Sequence, residues 1–202
     1  MELIRLKKGE NLKTNCAIVA TIGQFDGLHL AHLLLLRKTI EISQKRNFKS
    51  AMFTFDPHPD FVLNKDTTNT YVTPFDEKVK ILKQIGVDYM IVIEFNKEVA
   101  QMLPISFVED ILIANGVKEV VVGFDFSFGQ KGLGKANMIE ELSNGRIKCH
   151  IINEIKYENQ KIGTSFIKSL LQNGRVKEVK DIMGRFYKIT GKVVHGNQVG
   201  RT

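Results

Sequence analysis

Cysteine is scarce in this 202-residue chain. Cys16 and Cys149 lie far apart with no Cys or His at metal-ligand spacing around them, which argues against a disulfide framework or a zinc site and for a reducing, cytoplasmic setting. No apolar run approaches the roughly 20 residues that span a bilayer, and the start, Met1-Glu2-Leu3-Ile4-Arg5-Leu6-Lys7-Lys8, lacks the apolar core and small-residue cleavage site of a signal peptide. The expectation is a protein neither secreted nor membrane-embedded. Internal repeats and low-complexity tracts are also missing. What is present is ordinary globular composition, 43% hydrophobic and 25% charged, on a chain long enough for a sizeable core. Lys and Arg number 29 against 22 Asp and Glu, a net charge of +7 and a pI of about 9.3. That surplus suits nucleic acid, an acidic surface or small phosphorylated substrates. No basic stripe with interleaved aromatics supports the first, so no nucleic-acid partner is expected.

Continuous apolar, β-prone runs at residues 17–22, 50–55, 89–93 and 119–123 alternate with helical patterns at 30–45, 75–85 and 106–115. Gly86 and Gly116 follow the last two as helix stops. Such runs interleaved with amphipathic helices predict a parallel sheet covered on both faces, a Rossmann-like α/β/α sandwich. Further on, a helix from Gly134 to about Asn144, a short strand at 147–152 and a helical pair at 165–171 and 176–183 are expected. From Gly184 the pattern becomes strand-like and glycine-punctuated, as in an antiparallel barrel. The expected division is 1–184 as one α/β domain and 185–202 as the first strand of a second.

Four segments can carry chemistry. In Gly23-Gln24-Phe25-Asp26-Gly27-Leu28-His29-Leu30-Ala31-His32, glycines after a buried strand admit a ligand to the backbone, and the following helix N-terminus favours phosphate. His29 and His32, three apart, fall on one helical face and can donate together to phosphoryl oxygens; the plainer alternative is one capping and one solvated histidine. A zinc reading is weaker, because the helical two-His motif uses i, i+4 spacing with a Glu between. The rigid turn Asp56-Pro57-His58-Pro59 sits where open parallel sheets bind ligands, but alone is as readily a stiff surface turn. Phe124-Asp125-Phe126-Ser127-Phe128-Gly129, with three phenylalanines around a carboxylate in a glycine-rich stretch, suits a flat aromatic ligand with polar edges. Gly163-Thr164-Ser165-Phe166-Ile167-Lys168 offers hydroxyls at a helix start and a cation one turn in; by itself it reads as an N-cap with a solvated lysine.

Taken in order, the Gly-x-Phe-Asp-Gly-x-His-x-x-His segment, the Phe-Asp-Pro-His-Pro turn, Gly-x-Asp-Phe-x-Phe-Gly and the stretch from Gly184-Arg185-Phe186-Tyr187 to His195-Gly196 resemble the prokaryotic bifunctional FAD synthetases, in which a riboflavin kinase is joined to an FMN adenylyltransferase. The resemblance covers essentially the whole chain. It implies an N-terminal nucleotidyltransferase domain making FAD and pyrophosphate from FMN and MgATP, with Mg2+ entering alongside ATP and no metal held by the protein alone. The chain reaches Thr202 where the family continues into its kinase motif, so only the first barrel strand, and no kinase activity, is expected.

By the same resemblance, His29 and His32 stabilise the transferring phosphoryl group, and Thr164, Ser165 and Lys168 hold the β- and γ-phosphates. Gly23, Phe25, Asp26 and Gly27 form the nucleotide pocket, while Pro57, His58, Pro59, Asp125, Phe126 and Phe128 face the flavin. Three positions depart from the family pattern: Ala31 replaces a glycine, Gly163-Thr164-Ser165 replaces Ser-Ser-Thr, and Lys168 replaces an arginine, losing the planar fork that grips phosphate twice. The competing expectations are another nucleotidyltransferase of the superfamily, acting on a pantetheine or nicotinamide phosphate, and a degenerate flavin or nucleotide binder with little turnover. Oligomeric state is not readable from the sequence.

Overall fold

The computed structural model describes residues 1–65 and 70–196. In chain order the first half comprises β1 (Glu2–Leu6), β2 (Ile18–Ile22), α1 (Leu30–Arg46), β3 (Lys49–Asp56), α2 (Pro59–Val62), α3 (Phe75–Ile85) and β4 (Tyr89–Glu94). Then follow α4 (Lys97–Ala100), a helical run made of α5 (Pro104–Ser106), a π-helical turn (Phe107–Leu112) and a 3-10 turn (Ile113–Asn115), and β5 (Val117–Gly123). The remainder holds the hairpin β6 (Ser127–Phe128) and β7 (Gly134–Lys135), α6 (Ile139–Leu142), β8 (Lys148–Ile152), the hairpin β9 (Lys156–Tyr157) and β10 (Gln160–Lys161), α7 (Thr164–Gln172) and α8 (Val176–Met183). No helix of the described residues is long and apolar enough to cross a membrane.

Six strands form one sheet in the order β1-β4-β3-β2-β5-β8, with every neighbouring pair parallel. Successive side chains of a strand point to opposite faces, and the burial follows that period. Ile18, Ala20, Ile22, Phe53 and Ile91 pack under the helical run 104–115 through Phe107, Val108, Ile111 and Leu112. Met52, Met90 and Val92 pack on the other face, beneath α1 and α3, with Leu36 and Leu82. A separate apolar cluster ties α7 and α8 to Val72 through Ile167, Leu170, Val179 and Ile182. The α/β/α sandwich predicted from the sequence is therefore the fold.

Two expected elements differ. The segment 134–144 is not one helix; Gly134 and Lys135 pair with β6, and only Ile139–Leu142 is α-helical. The barrel strand expected from 185 onward does not form in residues 185–196, where Phe186, Ile189, Val193 and Val194 are exposed. A strand needs a partner for its N–H and C=O ladder, and no described strand lies beside this segment. Residues 197–202 of that expected strand lie outside the described residues.

Candidate active site

The strand order reverses at β2. From β2 the chain steps through β3 to β4 on one side, with β1 at the far edge, while β5 and β8 lie on the other, so the carboxyl ends of β2 and β5 open a crevice at the switch point, where open α/β sheets bind ligands. A cavity of about 640 Å³ occupies that place, lined by Gly23 after β2 and Gly123 at the end of β5.

The loop after β2 is contorted. Phe25, Gly27 and Leu28 all have positive φ, 51°, 82° and 40°, although Phe25 and Leu28 are bulky. Phe25 and Leu28, unlike Gly27, each cost about 1–3 kcal/mol there and persist only where their surroundings over-determine them. Here they do: Phe25 and Leu28 are fully buried, and side chains from distant elements bind the loop's carbonyls. Thr54 Oγ1 and Lys78 Nζ donate to Gln24 O at 3.2 and 2.7 Å, and Thr164 Oγ1 donates to Asp26 O at 3.1 Å. Lys78 is buried, which pulls its ammonium down to about 8, with Asp26 and Asp56 opposing the shift.

The loop delivers His29 as the extended N-cap of α1, its Nδ1 accepting from the His32 N–H at 3.4 Å. The two imidazoles stack with centroids 3.6 Å apart, and His32 also meets the Phe25 ring at 4.9 Å. Burial, reinforced by the Arg185 and Lys161 charges, lowers His29 to about 4. Burial, then the charges of His29, Lys78 and Arg185, hold His32 well below its usual 6.5. Both rings are neutral near pH 7. His32 Nδ1 is buried without a hydrogen-bond partner among the described residues, so it is an unused polar atom at the cavity wall. Opposite, α7 has Gly163 as its N-cap, with no side chain to cap the helix, and carries no acidic residue in its first turn, leaving N–H groups and a positive dipole end beside the cavity-lining Thr164 and Ser165.

The structure brings together His29, His32, Gly23, Phe25, Thr164, Ser165, Asp125 and Phe126 around this cavity. It does not bring the rest. Asp26 is buried with its carboxylate accepting the N–H groups of Val72 and Thr73 at 3.1 and 3.0 Å, and Gly27 lies under Ile167; neither lines the cavity. Phe128 is 5% exposed and packs on Phe107 and Phe126, a core residue anchoring the aromatic loop, whereas Phe124, 46% exposed, stands at the cavity. Pro57, His58 and Pro59 sit beyond the cavity wall. There His58 caps α2, its N–H donates to Tyr71 Oη at 3.1 Å, and its ring packs on Phe61. Lys168 lines a separate hollow with Tyr71 and Tyr187. The lysine at the cavity is Lys161, paired with Asp125 and lying 5.0 Å over the Phe124 ring. Sequence reading missed Lys161, whose only signal was its place two residues before Gly163. Among the described residues no group of three or more His, Cys, Asp or Glu side chains is arranged to hold a metal ion.

A family model described as FAD synthetase matches residues 11–166. The chain belongs to the FAD synthetase family. The bifunctional riboflavin kinase/FMN adenylyltransferase of Listeria monocytogenes is 34% identical over 185 residues, covering 91% of this chain and 59% of that protein. Its counterpart in Bacillus subtilis is 32% identical, covering 91% and 58%. A Listeria monocytogenes FAD synthetase is 30% identical over 190 residues, covering 93% of this chain and 77% of that protein. The chain thus spans less than two thirds of the bifunctional FAD synthetase relatives. For the fold alone, a crystal structure titled as a macrolide-efflux protein from Streptococcus pneumoniae superimposes with a TM-score of 0.83 at 24% identity, covering 92% of this chain and 71% of that one. A pantoate-beta-alanine ligase from Francisella tularensis, crystallised with beta-gamma ATP and beta-alanine, gives 0.53 at 12% identity, covering 89% and 86%.

Proposed function

We propose that this chain transfers the AMP group of MgATP to FMN, giving FAD and pyrophosphate. The observation that carries the reading is the switch-point cavity, in which two stacked, neutral histidines on the first turn of α1 face the uncapped start of α7. A phosphate oxygen of FMN attacks the α-phosphorus of ATP in line, forming one P–O bond while the bond to the β-phosphate oxygen breaks and pyrophosphate leaves. That nucleophile is already anionic at pH 7, phosphate having a second pKa of about 6, so no strong base is needed and catalysis is positioning plus charge stabilisation. His29 and His32 donate N–H groups to the transferring phosphoryl, Gly23 and Phe25 border the nucleotide, and Thr164, Ser165 and the α7 N–H groups hold the β- and γ-phosphates. Lys168 adds positive charge from one turn away. Magnesium enters as part of the MgATP substrate. Phe124, Phe126 and Asp125 offer the flavin ring two aromatic faces and a polar edge, and Lys161 supplies a cation at the same mouth. A cytoplasmic site of action belongs to this reading, consistent with the unpaired Cys16 and Cys149.

The test is incubation with FMN and MgATP labelled on the α-phosphate. Labelled FAD is expected, and His29→Ala should remove most of it. FMN binding without FAD would replace the reading with a flavin-binding protein, and loss of both would reject a flavin ligand.

A further inference from the structure

Arg185 is the first residue after the Gly184 turn, in the stretch expected to begin a second domain. Gly184 takes φ 66°, a left-handed conformation that glycine adopts without strain, and this turn brings the chain back against Leu30 and Leu33 at the start of α1. This turn aims Arg185 at the loop after β2. Its Nη1 donates to Leu28 O at 2.7 Å and to Met183 O at 3.2 Å. Its Nη2 donates to Gly27 O at 2.7 Å and Thr73 Oγ1 at 3.2 Å. The planar fork therefore closes on the two carbonyls immediately before His29, both belonging to residues of positive φ, and on the segment that Asp26 also holds. Lys78 and Thr164 secure the carbonyls of Gln24 and Asp26, but neither reaches positions 27 and 28.

We propose that Arg185 is the positioning residue of this loop, fixing the backbone of Gly27 and Leu28 so that His29 and His32 meet the phosphates, and thereby making the segment beyond α8 part of the active site. This rests on the adenylyl transfer proposed above. Arg185 does not line that cavity and acts through the loop. Apart from the effect of His29 on His32, the charged groups influencing the two imidazoles are Arg185, Lys161 and Lys78, so removing one of the three also alters when the histidines take up protons.

The experiment compares wild type with Arg185→Ala, Arg185→Lys and, as a control on the same segment, Lys188→Ala, which cuts the 2.9 Å ion pair to Glu77. Arg185→Ala should lower kcat for FAD formation by about 10- to 100-fold, the cost of misplacing reacting groups by about 1 Å, with a smaller change in KM. Millimolar guanidinium, but not sodium, should restore part of it. Histidine ring resonances followed by NMR should titrate at higher pH in Arg185→Ala and return towards wild type in Arg185→Lys. The lysine variant should have intermediate kcat, since one ammonium cannot span both carbonyls and Thr73. Lys188→Ala should match wild type. A folded Arg185→Ala with wild-type kcat and unchanged histidine titration overturns the proposal. If that variant does not fold, wild-type kcat and titration in Arg185→Lys overturn it equally. Should wild type form no FAD, adenylyl transfer fails as a reading, and the NMR titration alone decides on Arg185.

Discussion

Replacing Asp26 by Asn separates a structural carboxylate from a ligand-binding one. The Asp26 oxygens accept one N–H each, from Thr73 and Val72. Asparagine keeps one acceptor and turns an NH2 group towards the other donor, so one hydrogen bond to a charged group is lost, about 1.5–3 kcal/mol, and a buried N–H is orphaned at a further cost of about 1–3 kcal/mol. The substitution also removes the anion that does most to keep the buried Lys78 charged. The two costs overlap, since both describe the same lost bond, so a total of about 3 kcal/mol, near the low end of their sum, is expected. With an unfolding entropy of about 2.1 cal/mol/K per residue, a chain of this length loses about 7 °C of melting temperature. Calorimetric melts of wild type and Asp26→Asn measure that directly, and KM for ATP well below the melt should change by less than about threefold, since losing no direct ligand contact costs under about 1 kcal/mol. An unchanged melting temperature with a large rise in KM for ATP would refute the reasoning and return the carboxylate to the nucleotide.

Histidine burial makes a pH prediction of definite sign. His29 titrates at about 4 in the fold against an ordinary 6.5, so between those values the unfolded chain binds more protons and stability is lost as pH falls, by about 3 kcal/mol across the window. Urea midpoints at pH 7 and 5 should differ more in wild type than in His29→Asn, which keeps a capping side chain but does not titrate; parallel profiles would contradict the burial argument. Phe128→Ala should destabilise by about 3–5 kcal/mol, as for a core phenylalanine, and Phe124→Ala by less than about 0.5 kcal/mol while weakening FMN binding. Equal stability losses would mean the two rings are not divided between core and cavity. Lys168→Arg should leave KM for ATP within about twofold, under about 0.5 kcal/mol of binding, because the side chain lines a separate hollow and its fork has no phosphate within the cavity to grip; a tenfold improvement would place the side chain on the phosphates after all.

The sheet was legible because its strands are buried on both faces and read as unbroken apolar runs; β2 is buried at every position. β1 escaped notice for the opposite reason. At the sheet edge Glu2-Leu3-Ile4-Arg5-Leu6 buries only Leu6 fully and alternates like a charged surface segment. The motif around His29 and His32 was legible as local sequence, strand then glycine then helix start. Which residues of each motif reach the cavity was not, since Phe124 and Phe128 look alike in sequence and are sorted only by the β6–β7 hairpin that turns one inward against Phe107. Arg185 was invisible for a topological reason: its partners lie 157 and 158 positions earlier, and no local pattern records a hydrogen bond of that span.

Those spans also set an order of events during synthesis. The loop of Gly27 and Leu28 leaves the ribosome some 157 residues ahead of the guanidinium that holds it. At about 5–20 residues per second that interval is about 8–30 s. Thr164, 138 positions after Asp26, arrives only slightly sooner. Until then the nascent chain carries its histidine motif with neither Arg185 nor Thr164 to hold the loop, and competence for nucleotide waits on the emergence of α7, α8 and the turn at Gly184.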